Sequence, residues 1–386
     1  MKKRILFFSR DPGSVNVIFP LIPAFQQEYE VLLFGKDAAL KRFELFSVEA
    51  QDISNHIPPI ISVSYEKNST SYYLDFLKKF NPDALITGTG SDDYSEKYLW
   101  RAAKVLGIPS FAILDGWQNT GVRFSKWRLL DIDQYVEKPD LSFLPSKIFC
   151  VDEISQKQLL DIGMDEKNIV VSGQPYFEYL ETLSQTIDQK SVEEFRETID
   201  SDDHTLLFSY ISENITEVEK GQDLEKYYFG YTERSIFEDL MVSLSSFSAN
   251  IHKKMVLIVR KHPNEQMDVY SDAIEKYQTE DLEILVDPGF NPFLLMKASD
   301  LIIGMSSMFL IEALFFNKPI LSVQIGLKCP DPFILSSIGY IQSIKRREDL
   351  RGFFDTFFHQ KALKVKIPFK VSGAIQTIKK TVEEFL

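Results

Sequence analysis

The chain has 386 residues, with 43 Lys and Arg against 56 Asp and Glu, for a formal charge of −13. That length suits two domains of ordinary size, and a composition 44% hydrophobic and 26% charged excludes disordered, collagen-like and coiled-coil classes. The acidic balance repels phosphate backbones, so nucleic acid is excluded as the main partner, and a small anionic ligand needs a local basic pocket.

The N-terminal apolar run ends at Ser9-Arg10-Asp11, too early for a signal peptide. Strand-like runs follow at 4–9, 30–34, 84–87, 111–114, 147–151 and 169–172, with helical patterns at 71–80, 94–106 and 153–162 between them. A polar, acidic stretch at 181–203 precedes a second strand-first series. Its strands are expected at 205–210, 255–259, 282–286, 301–303 and 320–323, and its helices at 231–247, 292–298, 307–316 and 347–358. The apolar region 301–316 contains Gly304, Ser306, Ser307 and Glu312 and is not a membrane span. Cys150 and Cys329 are the only cysteines and read as buried spectators in a reducing compartment. A basic stretch, 361–370, precedes a last amphipathic segment, 372–386.

This alternation predicts an α/β fold of two Rossmann-like domains facing a central cleft. The expected division is residues 1–173 for an acceptor-side domain, 174–203 for a linker and 204–370 for a nucleotide-sugar domain. A C-terminal helix at 371–386 is placed to cross back to the first domain. A cytoplasmic location is expected, with peripheral association at the inner membrane face left open and the oligomeric state undetermined.

Loops directly after strands are where open α/β sheets bind ligands. The run Val256-Leu-Ile-Val-Arg260-Lys261-His262-Pro263-Asn264 ends a buried strand in two basic residues and a histidine, a pattern suited to phosphate and also to a plain solvated strand end. Gly304-Met305-Ser306-Ser307 reads as a tight turn opening a helix, where amides and hydroxyls form an anion site. Glu312 interrupts that apolar helix and is either solvated or faces a ligand such as a ribose diol. Asp115, followed by Gly116, stands at a strand end as a candidate base or an ordinary Asp-Gly turn. Asp11, Gly13 and Asn16 in the first βα loop, Asp92 in the strand-end loop Thr87–Asp93, and Glu213 in the second series complete the candidates. Asp11 and Asp92 equally fit helix capping. There is no GxGxxG, GxxxxGK[ST] or GxSxG, and His and Cys show no zinc spacing, so no cofactor and no metal are expected.

An Asp-Gly, a His-Pro and a Ser-Ser motif, in that order on a two-domain α/β chain, resemble the glycosyltransferase B superfamily, and more narrowly bacterial sialyltransferases that use CMP-activated sugars. The His-Pro and Ser-Ser pairs are also similar to those of teichoic-acid glycerophosphotransferases. Ser299–Ile325, with Glu312-Ala and Asn317-Lys-Pro319, resembles UDP-GlcNAc 2-epimerases and surface-polysaccharide proteins. The sialyltransferase resemblance implies Asp115 as general base, His262 assisting the leaving CMP, and Ser306 and Ser307 on its phosphate, with Arg260, Lys261, Pro263, Gly304 and Glu312 completing the nucleotide side. Leu114 stands where that motif has its first acidic residue, and Asp11, Asp92 and Glu213 are the substitute bases. The reading is a metal-independent, inverting glycosyltransferase of polysaccharide biosynthesis. It would move a sialic-acid-like nonulosonate or Kdo from a CMP donor to a glycan or glycolipid acceptor. The alternatives are a UDP-sugar transferase or UDP-GlcNAc 2-epimerase-like enzyme, which would show more carboxylates at the site, and a non-catalytic scaffold on the same fold.

Overall fold

The computed structural model describes residues 2–66, 68–202, 204–216, 229–251, 253–263, 265, 268–359 and 366–386. Asp203, Asn264 and the first half of the basic stretch at 361–370 lie outside them. The chain divides into two compact units, Met1–Tyr179 with Phe369–Leu386, and Leu180–Pro368.

The first unit holds strands β1 (Arg4–Ser9), β2 (Glu30–Gly35), β3 (Gln51–Asp52), β4 (Ala84–Thr87), β5 (Ser110–Ile113), β6 (Lys147–Cys150) and β7 (Ile169–Val171). They form one sheet in the order β3-β2-β1-β4-β5-β6-β7, every pair parallel. A parallel sheet covered on both faces needs near-continuous apolar strands, and Ile5, Leu6, Phe7 and Phe8 of β1 are all fully buried. Trp100, on the helix Ser95–Leu106, packs over this core, stacking on Phe124 and donating its indole N–H to Thr87 Oγ1 at 2.8 Å. The Cys150 thiol is buried in β6, and burial pushes it up to about 12, so it is inert at neutral pH.

The C-terminal helix Ala374–Glu383 belongs to this unit. Glu178 accepts hydrogen bonds from the amides of Ala374 and Ile375 at its start, where the helix dipole favours a carboxylate. Ile378 and Val382 are fully buried.

The second unit holds β8 (Leu206–Ile211), β9 (Met255–Arg260), β10 (Leu282–Val286), β11 (Leu301–Gly304) and β12 (Ile320–Ser322). Its sheet runs β10-β9-β8-β11-β12, again all parallel. The order is that of the first unit's β3-β2-β1-β4-β5, so the restart of the strand-first series does mark a second Rossmann-like fold.

Residues 174–203, expected as a linker, are instead largely helical: Pro175–Thr186 spans the division between the units, and Gln189–Glu197 follows it. Val192, Phe195 and Ile199 pack on Leu207, Val256 and Ile258 of the second sheet. The acidic residues of this stretch are the solvated face of an amphipathic helix. Among the described residues no helix is long and apolar enough to cross a membrane.

Candidate functional site

In a sheet of this order the chain leaves in opposite directions after β1 and β4, which opens a crevice beyond their carboxyl ends. Asp11 follows β1 and caps the helix Pro12–Ile18, its Oδ1 accepting the Ser14 N–H at 2.9 Å. Asp115 lies two residues past β5, and the two carboxylates meet across Gly13. A Cβ on Gly13 would stand 2.1 Å from Asp115 Oδ2 and 3.5 Å from Asp11 Oδ1, so only glycine lets the helix approach this closely. Arg123 reaches in from a loop and donates from Nη1 to Asp115 Oδ1 at 2.7 Å and to Thr89 O at 2.6 Å and Oγ1 at 2.9 Å. Gln174 Nε2 donates to the Asp115 carbonyl, which fixes the loop from below. The Asp115 side chain keeps 22% of its surface exposed and Arg123 12%, so a ligand can touch both.

Electrostatics separate these groups. Burial raises the Asp11 carboxyl above its usual range, and the nearby Asp115 charge adds to it, against the Ser14 N–H bond and the Arg123 and Arg10 charges. Glu96, in the first turn of Ser95–Leu106, is fully buried, and burial followed by the charges of Asp11 and Asp93 pushes it up to about 8. Two carboxyl groups in unlike surroundings are the arrangement that assigns an acid and a base to one site. Among the described residues no group of three or more His, Cys, Asp or Glu is placed to hold a metal ion.

The acceptor-side candidates therefore divide. Asp11 and Gly13 join Asp115. Asn16 turns away, its Oδ1 accepting from Arg42 Nε at 2.8 Å. Asp92 is half-exposed, 4.0 Å from Arg10. Glu213, counted with them from the sequence, belongs to the second unit and is bound to its anion-binding turn. Arg123 and Glu96 were not anticipated. Arg123 gives no sequence signal. Glu96 gives one, because it shares a helical face with the buried Leu99, Trp100 and Ala103.

In the second unit the corresponding switch lies between β8 and β11. Gly304 ends β11, Ser307 caps the helix Met308–Phe315 through Phe309 N–H, and Ser306 sits in the turn. The backbone amide and hydroxyl of Ser306 both donate to the Glu213 carboxylate, the latter at 2.9 Å. Burial raises the Glu213 carboxyl despite those bonds and the neighbouring amides of Ser307 and Met305. An anion thus already occupies the donors that the sequence reserves for a phosphate. Glu312 is buried within the helix.

The Arg-Lys-His run at the end of β9 is less cationic than its sequence. Arg260 donates from Nη1 to Asp287 Oδ2 at 2.7 Å and to Phe290 O at 3.0 Å, and Asp287 is buried to 3% exposure. Its charge is therefore spent inside the unit. Lys261 and His262 are partly exposed and Pro263 is exposed. Burial lowers the His262 imidazole below its usual range, so it is a neutral hydrogen-bonding group at pH 7 and not an imidazolium.

Solved structures share this fold along the whole chain. Staphylococcus aureus MnaA, solved with UDP, is 14% identical with a TM-score of 0.66, covering 100% of this chain and 97% of that one. The UDP-GlcNAc 2-epimerase of Neisseria meningitidis bound to UDP-GlcNAc is 15% identical with a TM-score of 0.65, covering 99% and 100%. Anabaena HepE with UDP-glucose is 13% identical with a TM-score of 0.60, covering 99% of each. At these identities the likeness is one of fold, the two-domain α/β fold of the glycosyltransferase B type. No protein-family profile matches the chain, and no curated protein sequence does.

Proposed function

We propose that the protein binds a UDP-sugar and inverts the carbon beside its anomeric centre, as a UDP-GlcNAc 2-epimerase does. The observation that carries this reading is the pair of carboxyl groups in unlike surroundings, Asp115 ion-paired to Arg123 and Asp11 pushed upward by burial and by Asp115. Transfer to an acceptor hydroxyl calls for one base. Inversion at carbon calls for a base to take a hydrogen and an acid to return one. The three solved structures above all hold UDP or a UDP-sugar, which supports uridine over cytidine.

The C2 hydrogen of such a sugar is not acidic by itself, so its removal is coupled to loss of the C1 diphosphate. Asp115 takes the C2 proton, a C1=C2 double bond forms, and the C1–O electron pair leaves with UDP. Protonated Asp11 then gives a proton to the other face of C2 while a UDP oxygen re-forms the bond to C1. Proton return from Asp115 to Asp11 resets the pair. Within the second unit, the Ser306–Ser307 turn at its helix N-terminus is suited to a diphosphate, as are Lys261 and neutral His262 beside Pro263. Arg260 holds that loop through Asp287, and Glu312 takes the ribose diol.

Glu213 occupies donors of this turn, so the diphosphate must displace it. Glu213→Gln is expected to tighten UDP binding about tenfold, or about 1.4 kcal/mol, by calorimetry at pH 7. Unchanged or weaker binding would make Glu213 a support of the turn instead.

The function is tested with UDP-GlcNAc, UDP-glucose, CMP-sialic acid, CMP-Kdo and CDP-glycerol, each followed by nuclear magnetic resonance. Interconversion of a UDP-sugar without an acceptor is the expected result. CMP release from a CMP-sugar, with every UDP-sugar unchanged, would overturn it in favour of the transferase reading.

A further inference from the structure

Glu96 is a fully buried carboxyl group whose two oxygens make no hydrogen bond to any other residue among those described. The cations around it are engaged elsewhere. Lys97, the next residue, donates from Nζ to the carbonyls of Val122 at 3.0 Å and Trp127 at 2.7 Å. Lys36, after β2, is bound to Asp93 at 2.6 Å. Arg10, after β1, lies 3.3 Å from Asp37 and 4.0 Å from Asp92. Arg123, after β5, is committed to Asp115. The acidic groups that face Glu96 are Asp11 and Asp93, both of which oppose its ionisation. A dry, unpaired carboxylate among anions is far costlier than the protonated acid.

Asp11 is the neighbour with which Glu96 can exchange that proton. A Cβ on Gly90 would stand 3.1 Å from Glu96 Oε2 and 3.5 Å from Asp11 Oδ2, so the two oxygens border one space that glycine leaves open. Asp11 Oδ1 is taken by the Ser14 amide, and Oδ2 is the oxygen on the Gly90 side. We propose that Glu96 and Asp11 hold a single proton in common, with Glu96 the buried positioning member and Asp11 the member that solvent and substrate can reach. Like-charged carboxyl groups brought together share protons in this way. When Asp11 gives that shared proton to a sugar carbon the pair is left without one, and the proton returned from Asp115 refills it. The shared proton rests on the function proposed above only for that last step.

The test uses the whole protein without substrate. Infrared spectroscopy is expected to show a protonated carboxylic acid at pH 7 that titrates near pH 8 in the wild type and is missing from Glu96→Gln. Removing the Asp11 charge in Asp11→Asn should make the same band titrate at lower pH, which keeps the test open if Glu96→Gln folds poorly. Thermal melting supplies a second readout. Glu96 is raised from 4.5 to about 8, so the Glu96 contribution to native stability is full below pH 4.5 and is lost as pH rises toward 8. Glu96→Gln should remove that fall. A wild type without a protonated acid at pH 7, or one whose melting follows the same pH course as Glu96→Gln, overturns the proposal. Neither readout needs turnover, so a protein that binds no UDP would overturn the proposed function while leaving this result standing or falling by itself.

Discussion

Asp115→Asn is expected to lower kcat on the accepted UDP-sugar by about 10²–10⁴-fold, the range for losing a positioned base, with little change in KM. Asparagine matches aspartate in size, and its Oδ1 can still accept from Arg123, whose N–H···O bond to Asp115 is 2.7 Å. The substitution therefore removes a proton acceptor and leaves the Gly13 contact in place. Initial rates followed by nuclear magnetic resonance, beside thermal melting of both proteins, check it. A loss under tenfold in a well-folded variant would move the base to Asp11 or Asp92.

Lys36→Met is expected to destabilise the protein by about 3–5 kcal/mol, the cost of leaving a buried partner charge uncompensated. The two side chains are nearly inaccessible, 5% exposed for Lys36 and 4% for Asp93, and Lys36 also donates to Ser62. Burial by itself would raise the Asp93 carboxyl. The Lys36 charge, with hydrogen bonds from Lys36, Ser95 and Ser62, outweighs it and holds Asp93 below the usual range. A depressed carboxyl adds stability that is present above pH 3.8 and is lost as pH falls through its folded value. Urea unfolding at pH 7 and at pH 3 should therefore show the wild type and Lys36→Met converging in acid. Asp93→Asn added to Lys36→Met should recover much of the loss at pH 7. A cost under 1 kcal/mol would show that water reaches the pair.

The two sheets were legible because parallel strands buried on both faces leave unbroken apolar runs, as at Ile5–Phe8 and Val256–Val259. Strand β3, with two residues, is too short to leave one. The helix Gln189–Glu197 was misread because its core contact rests on the spacing of Val192 and Phe195 alone, amid charged neighbours. The site followed the same logic. Asp11, Asp115, Ser306 and Ser307 could be picked out because each stands just past a strand. Arg123 arrives from a loop and leaves no local signal, whereas Glu96, in the first turn of its helix, is marked only by the face it shares with the buried Leu99, Trp100 and Ala103. The contact of Glu213 with Ser306 requires knowing that β8 lies beside β11. The choice of cytidine was not legible at all. The His-Pro and Ser-Ser motifs speak to phosphate, which CMP and UDP share.

The most direct test of the central claim is a proton spectrum of UDP-GlcNAc incubated with the protein in D₂O. An elimination and re-addition at C1 and C2 predicts loss of the C2 proton signal, with a second UDP-sugar appearing that carries deuterium at C2. Retention of that proton by UDP-GlcNAc, together with CMP release from a CMP-sugar in the presence of a glycan acceptor, would contradict the account.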